Sequence, residues 1–237
     1  GESVISGNVG VSPGSAVVGF PPGTVTPPAS IFTEAAAAGP QLALTAAYIV
    51  AAGAISTVVP TELGGTSPVP GVYSTNDGTL GITGDLTLDA ENDPDAEWIF
   101  QASTLLDTAF ESRVLLINGA SPCNVFWVVD TATLGVGSTM VGTVMALTTI
   151  TTEDDALVTG RLLARNGEVT LINTTINTPP ACIEASSFSQ AGGVPYPVLP
   201  DTGLELPWVA WSLSFAAILA GAAGVVLATT RRRAARS

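Results

Sequence analysis

The chain has 237 residues, of which 46% are hydrophobic and 11% charged, and its formal net charge is −13. It contains no His, and all seven basic residues are Arg, which excludes His-based dyads, Schiff-base chemistry and His-ligated metal sites. Residues 1–200 hold eighteen acidic residues and three Arg, so nucleic-acid binding by this part is not expected. A low charge with many Ala, Gly, Thr and Val is typical of a β-rich extracellular protein.

The N-terminal part predicts short strands followed by a helix. The sequence begins with Gly1, and we interpret it as a fragment that lacks its signal peptide. Residues 4–25 alternate β-forming residues with Gly and Pro, which indicates short strands and tight turns. Residues 31–55 are Ala-rich and favour one long helix, which Gly39-Pro40 should kink or split. The apolar periodicity predicts that one face carries Leu42, Ala46, Ile49, Val50 and Gly53.

Residues 125–177 divide at their glycines into three lines, 125–142, 143–160 and 161–177. Their spacing of about eighteen residues is right for one coil of a β-solenoid, which becomes stable when neighbouring coils stack. Each line opens with a continuous apolar run, so both faces of these strands must be buried. We therefore expect the Ala-rich helix to lie along the coils and cover their outer side.

Two cysteines, Cys123 and Cys182, bracket this repeat region. An export signature later in the chain favours a disulfide between them, and two buried free thiols are the alternative. A metal site is not expected with two Cys and no His. The acidic residues at 85, 89, 91, 93 and 95 lack the ligand spacing of a calcium loop and are interpreted as solvated turn carboxylates. We expect no metal and no cofactor.

The C-terminal part carries three features in a fixed order. Residues 183–198 are typical of a Ser/Gly/Pro linker. The motif LPDTG then comprises Leu199, Pro200, Asp201, Thr202 and Gly203. Residues 206–228 form a run of about 23 uncharged residues, enough for a transmembrane helix, and an Arg-rich tail ends the chain on the cytoplasmic side.

This order resembles the cell-wall sorting signal of Gram-positive surface proteins. The resemblance covers residues 199–237 and implies that sortase cuts between Thr202 and Gly203. The Thr carbonyl is then transferred to an amine of the cell wall, so sortase, peptidoglycan and, before processing, the membrane are the expected partners. The expected location is extracellular and wall-anchored in a Gram-positive bacterium.

The body, residues 4–177, resembles the ice-binding (antifreeze) protein family. The resemblance is carried by GNVGVSPGSAVVGFPPGTV (7–25), VVPTELGG (58–65), PGVYS (70–74), LTLDAENDPDAEWIFQ (86–101), NGASPCNVFW (118–127) and GRLLARNGEVTL (160–171). It implies a mainly β fold: a right-handed discontinuous β-solenoid of triangular cross-section with one long α-helix alongside. It also implies a non-enzymatic protein that adsorbs to ice through one flat face. The expected domain is residues 1–182.

Two faces remain as candidates for contact with ice. The first-choice face carries Thr131, Thr133, Thr149, Thr151 and Thr170, and the second-choice face carries Ser138, Thr139 and Thr159, together with Thr174 and Thr175. Some ice-active relatives enter the second kind of face through Thr-Gly-x-Thr steps, from which Asp154-Asp155-Ala156-Leu157 departs sharply. The alternative function is a wall-anchored adhesin or structural protein that kept the fold without ice activity. An enzyme is not expected, because the acidic residues lie mostly at turns.

Overall fold

The computed structural model describes residues 2–179 and Cys182, a mainly β structure with one α-helix. The strands are β1 (Val4–Ile5), β2 (Val9–Val11), β3 (Thr24–Val25), β4 (Ile31–Thr33), β5 (Thr57–Val58), β6 (Gly71–Ser74), β7 (Thr79–Ile82), β8 (Asp85–Asp89), β9 (Trp98–Thr108), β10 (Arg113–Ile117), β11 (Val125–Leu134), β12 (Thr139–Ala146), β13 (Ile150–Thr152), β14 (Leu157–Ala164), β15 (Val169–Leu171) and β16 (Thr175–Asn177). The helix α1 comprises Ala35–Ala52, and a short 3-10 turn comprises Pro122–Asn124. The predicted linker, sorting motif and transmembrane helix lie outside the described residues.

Parallel strands stack in register, which confirms the prediction for residues 125–177. Thr133 pairs with Thr151 and Thr151 with Thr170, so each coil sits one strand above the previous one. The register also holds on the other two sides, where all eight residues of β12 pair with those of β14. Each coil therefore hydrogen-bonds to its neighbours edge to edge, as the repeat spacing requires.

Fourteen of the named strands form three ladders, named here by what they carry, and β2 pairs separately with β4. The helix-side sheet contains β5, β6, residues 98–102 of β9, residues 125–129 of β11, residues 143–146 of β12 and residues 161–164 of β14. The threonine sheet contains β7, residues 105–108 of β9, residues 131–134 of β11, β13 and β15. The long sheet contains β3, β1, β16, residues 157–159 of β14, residues 139–141 of β12, β10 and β8.

The helix covers the outer side of the helix-side sheet, as the continuous apolar runs predict. Leu44, Ala47 and Ala51 pack against a group of sheet residues, all of them buried: Ile99, Phe126, Val128 and Met145. Side-chain hydrogen bonds fix the helix at three heights. Gln41 Nε2 donates to the Arg165 carbonyl at 2.5 Å, Tyr48 Oη to the Val129 carbonyl at 3.0 Å, and Gln101 Nε2 to the Ala51 carbonyl at 2.8 Å.

The structure corrects the predicted extent and the predicted face of the helix. Residues 31–33 form β4, and the helix continues unbroken through Pro40 and ends at Ala52. The buried helix residues are Ala37, Ala43, Leu44, Ala47 and Ala51, whereas Leu42 and Ile49 are 60% and 61% exposed. The sheet presents large side chains to the helix, so small alanines allow close approach and the bulkier residues point away.

The N-terminal segment closes the stack at the end that carries the last coil. β1 lies between β3 and β16, with Val4 opposite Thr24 and Thr175. The Ser3 hydroxyl accepts a hydrogen bond from the Thr174 amide at 3.0 Å. The first strand of the sequence therefore pairs with the last described strand.

Aromatic residues in register fill the interior behind the helix-side sheet. Tyr73, Phe100 and Trp127 stack with ring centroids 5.6 Å and 4.4 Å apart. Trp127 is fully buried, and its Nε1 donates to the Val141 carbonyl at 2.9 Å, so no buried polar atom of the indole is left unpaired. This stack connects three consecutive coils.

The predicted disulfide is confirmed. Cys123 and Cys182 are joined with their Cα atoms 4.9 Å apart and 59 residues apart in sequence. Both side chains are buried, and the Arg161 guanidinium donates a hydrogen bond to the Cys182 carbonyl. The bond attaches the chain beyond the last coil to the start of β11.

Loss of the disulfide should destabilise the fold. Cys182→Ser is expected to lower the free energy of unfolding by about 4 kcal/mol, because the bond closes a long loop in the unfolded chain. Urea denaturation measures the change. Cys123→Ser should cost the same and the double variant no more, and an unchanged urea midpoint in Cys182→Ser would contradict the expectation.

A glycine corner between the long and helix-side sheets should tolerate no side chain. Gly142 pairs with Gly160, and a Cβ on Gly160 would lie 1.9 Å from the Gly142 carbonyl oxygen. Gly160→Ala is therefore expected to cost roughly 2–4 kcal/mol of stability, measured by urea denaturation. The matched control is Gly39→Ala in α1, where a Cβ meets nothing within 4 Å and helix propensity predicts a small gain. Equal stability of the two variants would refute the steric argument.

Candidate functional site

The five first-choice threonines lie together on the outer side of the threonine sheet. One column of paired positions contains Gly81, Asp107, Thr133, Thr151 and Thr170. A second column contains Thr79, Leu105 and Thr131, and continues to Thr149, whose carbonyl accepts from the Ala132 amide. All five threonines are partly exposed, while the alternating residues Ala132, Leu134, Ile150 and Thr152 are buried.

Carboxylates limit this threonine array on both sides. Asp107 occupies the position next to Thr133 in the same column and is exposed. Glu168 follows Thr149 in the second column, where its carbonyl accepts from the Ile150 amide. The uninterrupted array therefore extends over three strands, or about 10 Å across the strands at the usual strand spacing.

Two further carboxylates near β7 are held in the ionised form. The backbone amide of Thr79 and the hydroxyl of Thr61 donate hydrogen bonds to Asp77 and lower the pKa of that carboxyl. Burial opposes ionisation of Glu62, but hydrogen bonds from Thr83 and Gly64 outweigh it and lower the pKa of Glu62. Both groups keep their charge and a hydration shell at neutral pH, beside the first coil of this sheet.

The long sheet presents a larger outer surface and contains Thr139, Thr159 and Thr175 of the second-choice face. One column runs through Thr24, Val4, Thr175, Leu157, Thr139, Arg113 and Asp85, and a second runs through Asn177, Thr159 and Val141. Val4 and Leu157 are 40% and 36% exposed, and Val141 is the one of these residues that is buried. The positions from β3 to β12 carry no charge over five strands, about 19 Å.

Ser138 does not reach this surface. Ser138 is 1% exposed. The residue that directly precedes β1, β10, β12, β14 or β16 of the long sheet lies at a corner of the coil, and its side chain points into the interior. The same corner holds a buried column of mostly hydroxyl-bearing residues: Ser3, Thr174, Ala156, Ser138 and Ser112. Thr174 Oγ1 lies 2.5 Å from Thr152 Oγ1 and also donates to the Ile172 carbonyl. Ser138 and Thr174 therefore contribute to the interior, which sequence spacing alone did not reveal.

The Asp154-Asp155 step lies at the turn before β14 and not on the strand surface. Both residues are exposed, and Asp155 has a positive φ of 57°. Asp155 Oδ1 accepts a hydrogen bond from Asn173 Nδ2 at 2.6 Å. These carboxylates border the long sheet at a corner, while Leu157 occupies the strand position itself.

Charge returns only at the far end of the long sheet. Arg113 donates from Nε and Nη2 to the two Asp85 oxygens at 2.8 and 2.7 Å. The hydrogen bonds and charge of Asp85 raise the pKa of Arg113. This exposed pair bounds the uncharged surface at β12.

The acidic turns show no arrangement for metal binding within residues 2–179. No group of three or more acidic or Cys side chains is placed to hold an ion in this part of the chain. The Asp89 carboxylate instead accepts hydrogen bonds from the Glu91 amide and from Asn118 Nδ2. The Asp93 carboxylate accepts from the Asp95 amide, as in ordinary turns.

The chain is similar in sequence to known ice-binding proteins. An ice-binding protein of Nostoc sp. (strain HG1) is 41% identical over 179 residues, which are 72% of this chain and 64% of that protein. An ice-binding protein of Colwellia sp. is 39% identical over 119 residues, 50% of this chain and 46% of that protein. The chain thus spans less than two thirds of the length of both relatives.

The fold is also similar to those of solved ice-binding proteins. The crystal structure of an ice-binding protein from the Antarctic ascomycete Antarctomyces psychrotrophicus has a TM-score of 0.71 and 35% identity, covering 76% of this chain and 88% of that one. An ice-binding protein from an Antarctic biological consortium has a TM-score of 0.69 and 35% identity, covering 75% and 82%. The sequence model of the ice-binding-like family matches residues 1–177. Because this match covers more than half of the sequence, the chain belongs to the ice-binding-like family.

Proposed function

We propose that this protein adsorbs to ice through the outer surface of the long sheet. Membership of the ice-binding-like family supports an ice-binding or antifreeze-like function. We also infer that the three sheets wind as a right-handed discontinuous β-solenoid of triangular cross-section. The observation that carries the proposal is the in-register, uncharged surface over five neighbouring strands of the long sheet.

The chemistry of that surface fits a lattice of water. Outward residues recur about 6.5–7 Å apart along a strand, and neighbouring strands lie about 4.7–4.9 Å apart. The hydroxyls of Thr139, Thr159 and Thr175 can hold ordered water, while their methyls and the side chains of Val4 and Leu157 exclude it. Many weakly held waters acting together would keep the protein on a growing crystal and stop growth locally.

The threonine sheet is the second candidate for the same function. Thr133, Thr151 and Thr170 form a regular column of threonines, which favours it. Its uncharged area is about half as wide, because Asp107 and Glu168 border it and carboxylates hold their own hydration shells. We therefore place the long sheet first.

We further propose that the protein is held at the surface of a Gram-positive cell. Support comes from the order of LPDTG, an apolar span and an Arg-rich tail in residues 199–237. The Cys123–Cys182 disulfide fits an oxidising compartment outside the cytoplasm. Membrane retention would be temporary, and transfer of Thr202 to peptidoglycan would be the final attachment.

Ice adsorption is tested with residues 1–198 and two matched substitutions. Thr159→Tyr places a bulky ring on the long sheet, and Thr151→Tyr places the same ring on the threonine sheet. We expect the unsubstituted protein to shape ice crystals and show thermal hysteresis, and Thr159→Tyr to lose most of that hysteresis because the ring lifts the surface off the ice. Thr151→Tyr should retain it, and urea denaturation checks that both variants remain folded.

The opposite outcome has a definite meaning. Loss of hysteresis in Thr151→Tyr with retention in Thr159→Tyr would move the site to the threonine sheet. Round, unshaped crystals with the unsubstituted protein at high concentration would reject ice binding and favour a wall-anchored adhesin or structural protein.

Sortase anchoring is tested by Thr202→Ala in a Gram-positive host that expresses sortase. The variant is expected to stay in the membrane fraction, because it lacks the Thr side chain that the LPxTG motif requires next to the bond that sortase cleaves. Fractionation and immunoblotting measure the distribution, with Asp201→Ala as the control that should still reach the wall, since that position of the motif is variable. Wall linkage of Thr202→Ala would refute this route.

A further inference from the structure

The Cys123–Cys182 disulfide connects two very different levels of the stack. Cys123 lies in the 3-10 turn that leads into β11, which pairs with β9 on one side and with β12 and β13 on the other. Cys182 follows β16, the last described strand along the chain. The bond therefore bypasses the coils built from β12 to β16 and attaches the outgoing chain to the coil of β11.

Without the disulfide, the outgoing chain would pull directly on β16, which is weakly held. β16 has three residues, which form three residue pairs with β14 and two with β1. Coils of this kind contact only their nearest neighbours. A pull on the chain directly after Asn177 would therefore remove β16 first and then the remaining coils one after another, with few hydrogen bonds breaking at a time.

The attachment point at β11 is much stronger. β11 forms five residue pairs with β9 over Val125–Val129 and four more over Thr131–Leu134. Phe126 and Trp127 are 2% and 0% exposed, packed under the helix and in the aromatic stack respectively. Force applied at Cys123 must shear these pairs together, because β11 lies between neighbours on both sides.

We propose that the disulfide carries the mechanical load between the anchored C-terminus and the folded body. Tension at Cys182 passes through the two sulfur atoms to Cys123, so the segment from Asn177 to Cys182 cannot lengthen and β16 is not peeled. The loop closed by the bond contains Thr139, Thr151 and Thr159, hence residues of both candidate ice surfaces. With the bond intact, a pull on the C-terminus is therefore not transmitted along the backbone of β16, and the coils that carry these residues are not unwound from that end.

This inference rests on the proposed wall anchoring, which supplies the pull. Its test needs neither ice nor a cell wall, so the two proposals can fail separately. The Arg161 hydrogen bond to the Cys182 carbonyl adds a non-covalent contact at the same point. Arg161 is present in both the oxidised and the reduced protein compared below, so these two states differ covalently only in the disulfide.

Single-molecule force spectroscopy on the full chain in detergent gives the test. One handle is attached to the C-terminus and the other, through an azide-bearing amino acid, to the exposed position of Asp95 just before β9. With the disulfide intact, the first unfolding event should require a several-fold higher force than after reduction. The reduced chain should instead lengthen in successive small steps, up to about 210 Å for the 59-residue loop.

Two preparations keep the result decisive. Reduction of the folded wild-type protein in place avoids any variant that fails to fold, and Cys123→Ser should reproduce its low-force steps. Equal first unfolding forces with and without the bond would overturn the proposal. So would reduced chains that unfold in one step at high force, because β16 and its neighbours would then resist peeling without covalent help.

Discussion

Everything in this structure depends on parallel strands that stay in register from coil to coil. The backbone ladder places Thr133, Thr151 and Thr170 above one another, and the same ladder on another side aligns Thr139 with Leu157 and Thr175. No single coil buries enough apolar surface to be stable, so each depends on the hydrogen bonds and side chains of its neighbours. Because the period of side-chain direction is two residues, a slip of one residue would turn the outward threonines into the core. Surface chemistry and stability are therefore consequences of one and the same pairing.

The helix buries apolar residues that the paired strands would otherwise expose to water. Strands of the helix-side sheet carry apolar residues on both sides, and Ile99, Phe126 and Met145 would face water without a cover. The uncharged, Ala-rich α1 approaches closely and buries them. With one side of the coils occupied in this way, two sides remain for contact with other surfaces. These are the long sheet and the threonine sheet, which differ in the width of their uncharged surface and in the charges that border it. These two differences are the reason for placing the long sheet first as the ice-contacting surface.

The sequence predicts those features that depend on a repeated spacing or on residue composition alone. The stacking of residues 125–177, the cover by an Ala-rich helix and the disulfide between Cys123 and Cys182 all followed from spacing and residue type. Prediction from the sequence fails where the burial or pairing of a residue depends on a partner that is distant in the sequence. The predicted buried face of the helix is wrong, because the large side chains of the sheet leave room only for a face made mainly of alanines, which the apolar periodicity of the helix does not indicate. Ser138 was placed outside because the corner of the coil interrupts strict alternation, and the pairing of β1 with β16 leaves no local trace in either segment.

That pairing has a consequence for how the molecule is made. Ser3 and Thr174, whose hydrogen bond links the two strands, are 171 residues apart. β1 therefore has β3 as an early partner but lacks its second partner, β16, until nearly the whole body has been synthesised. Closing so long a loop is entropically costly and slow compared with forming neighbouring coils. Completion of the fold therefore waits until β16 is available to pair with β1. The two ends of the body are thus joined last, after the coils between them have formed.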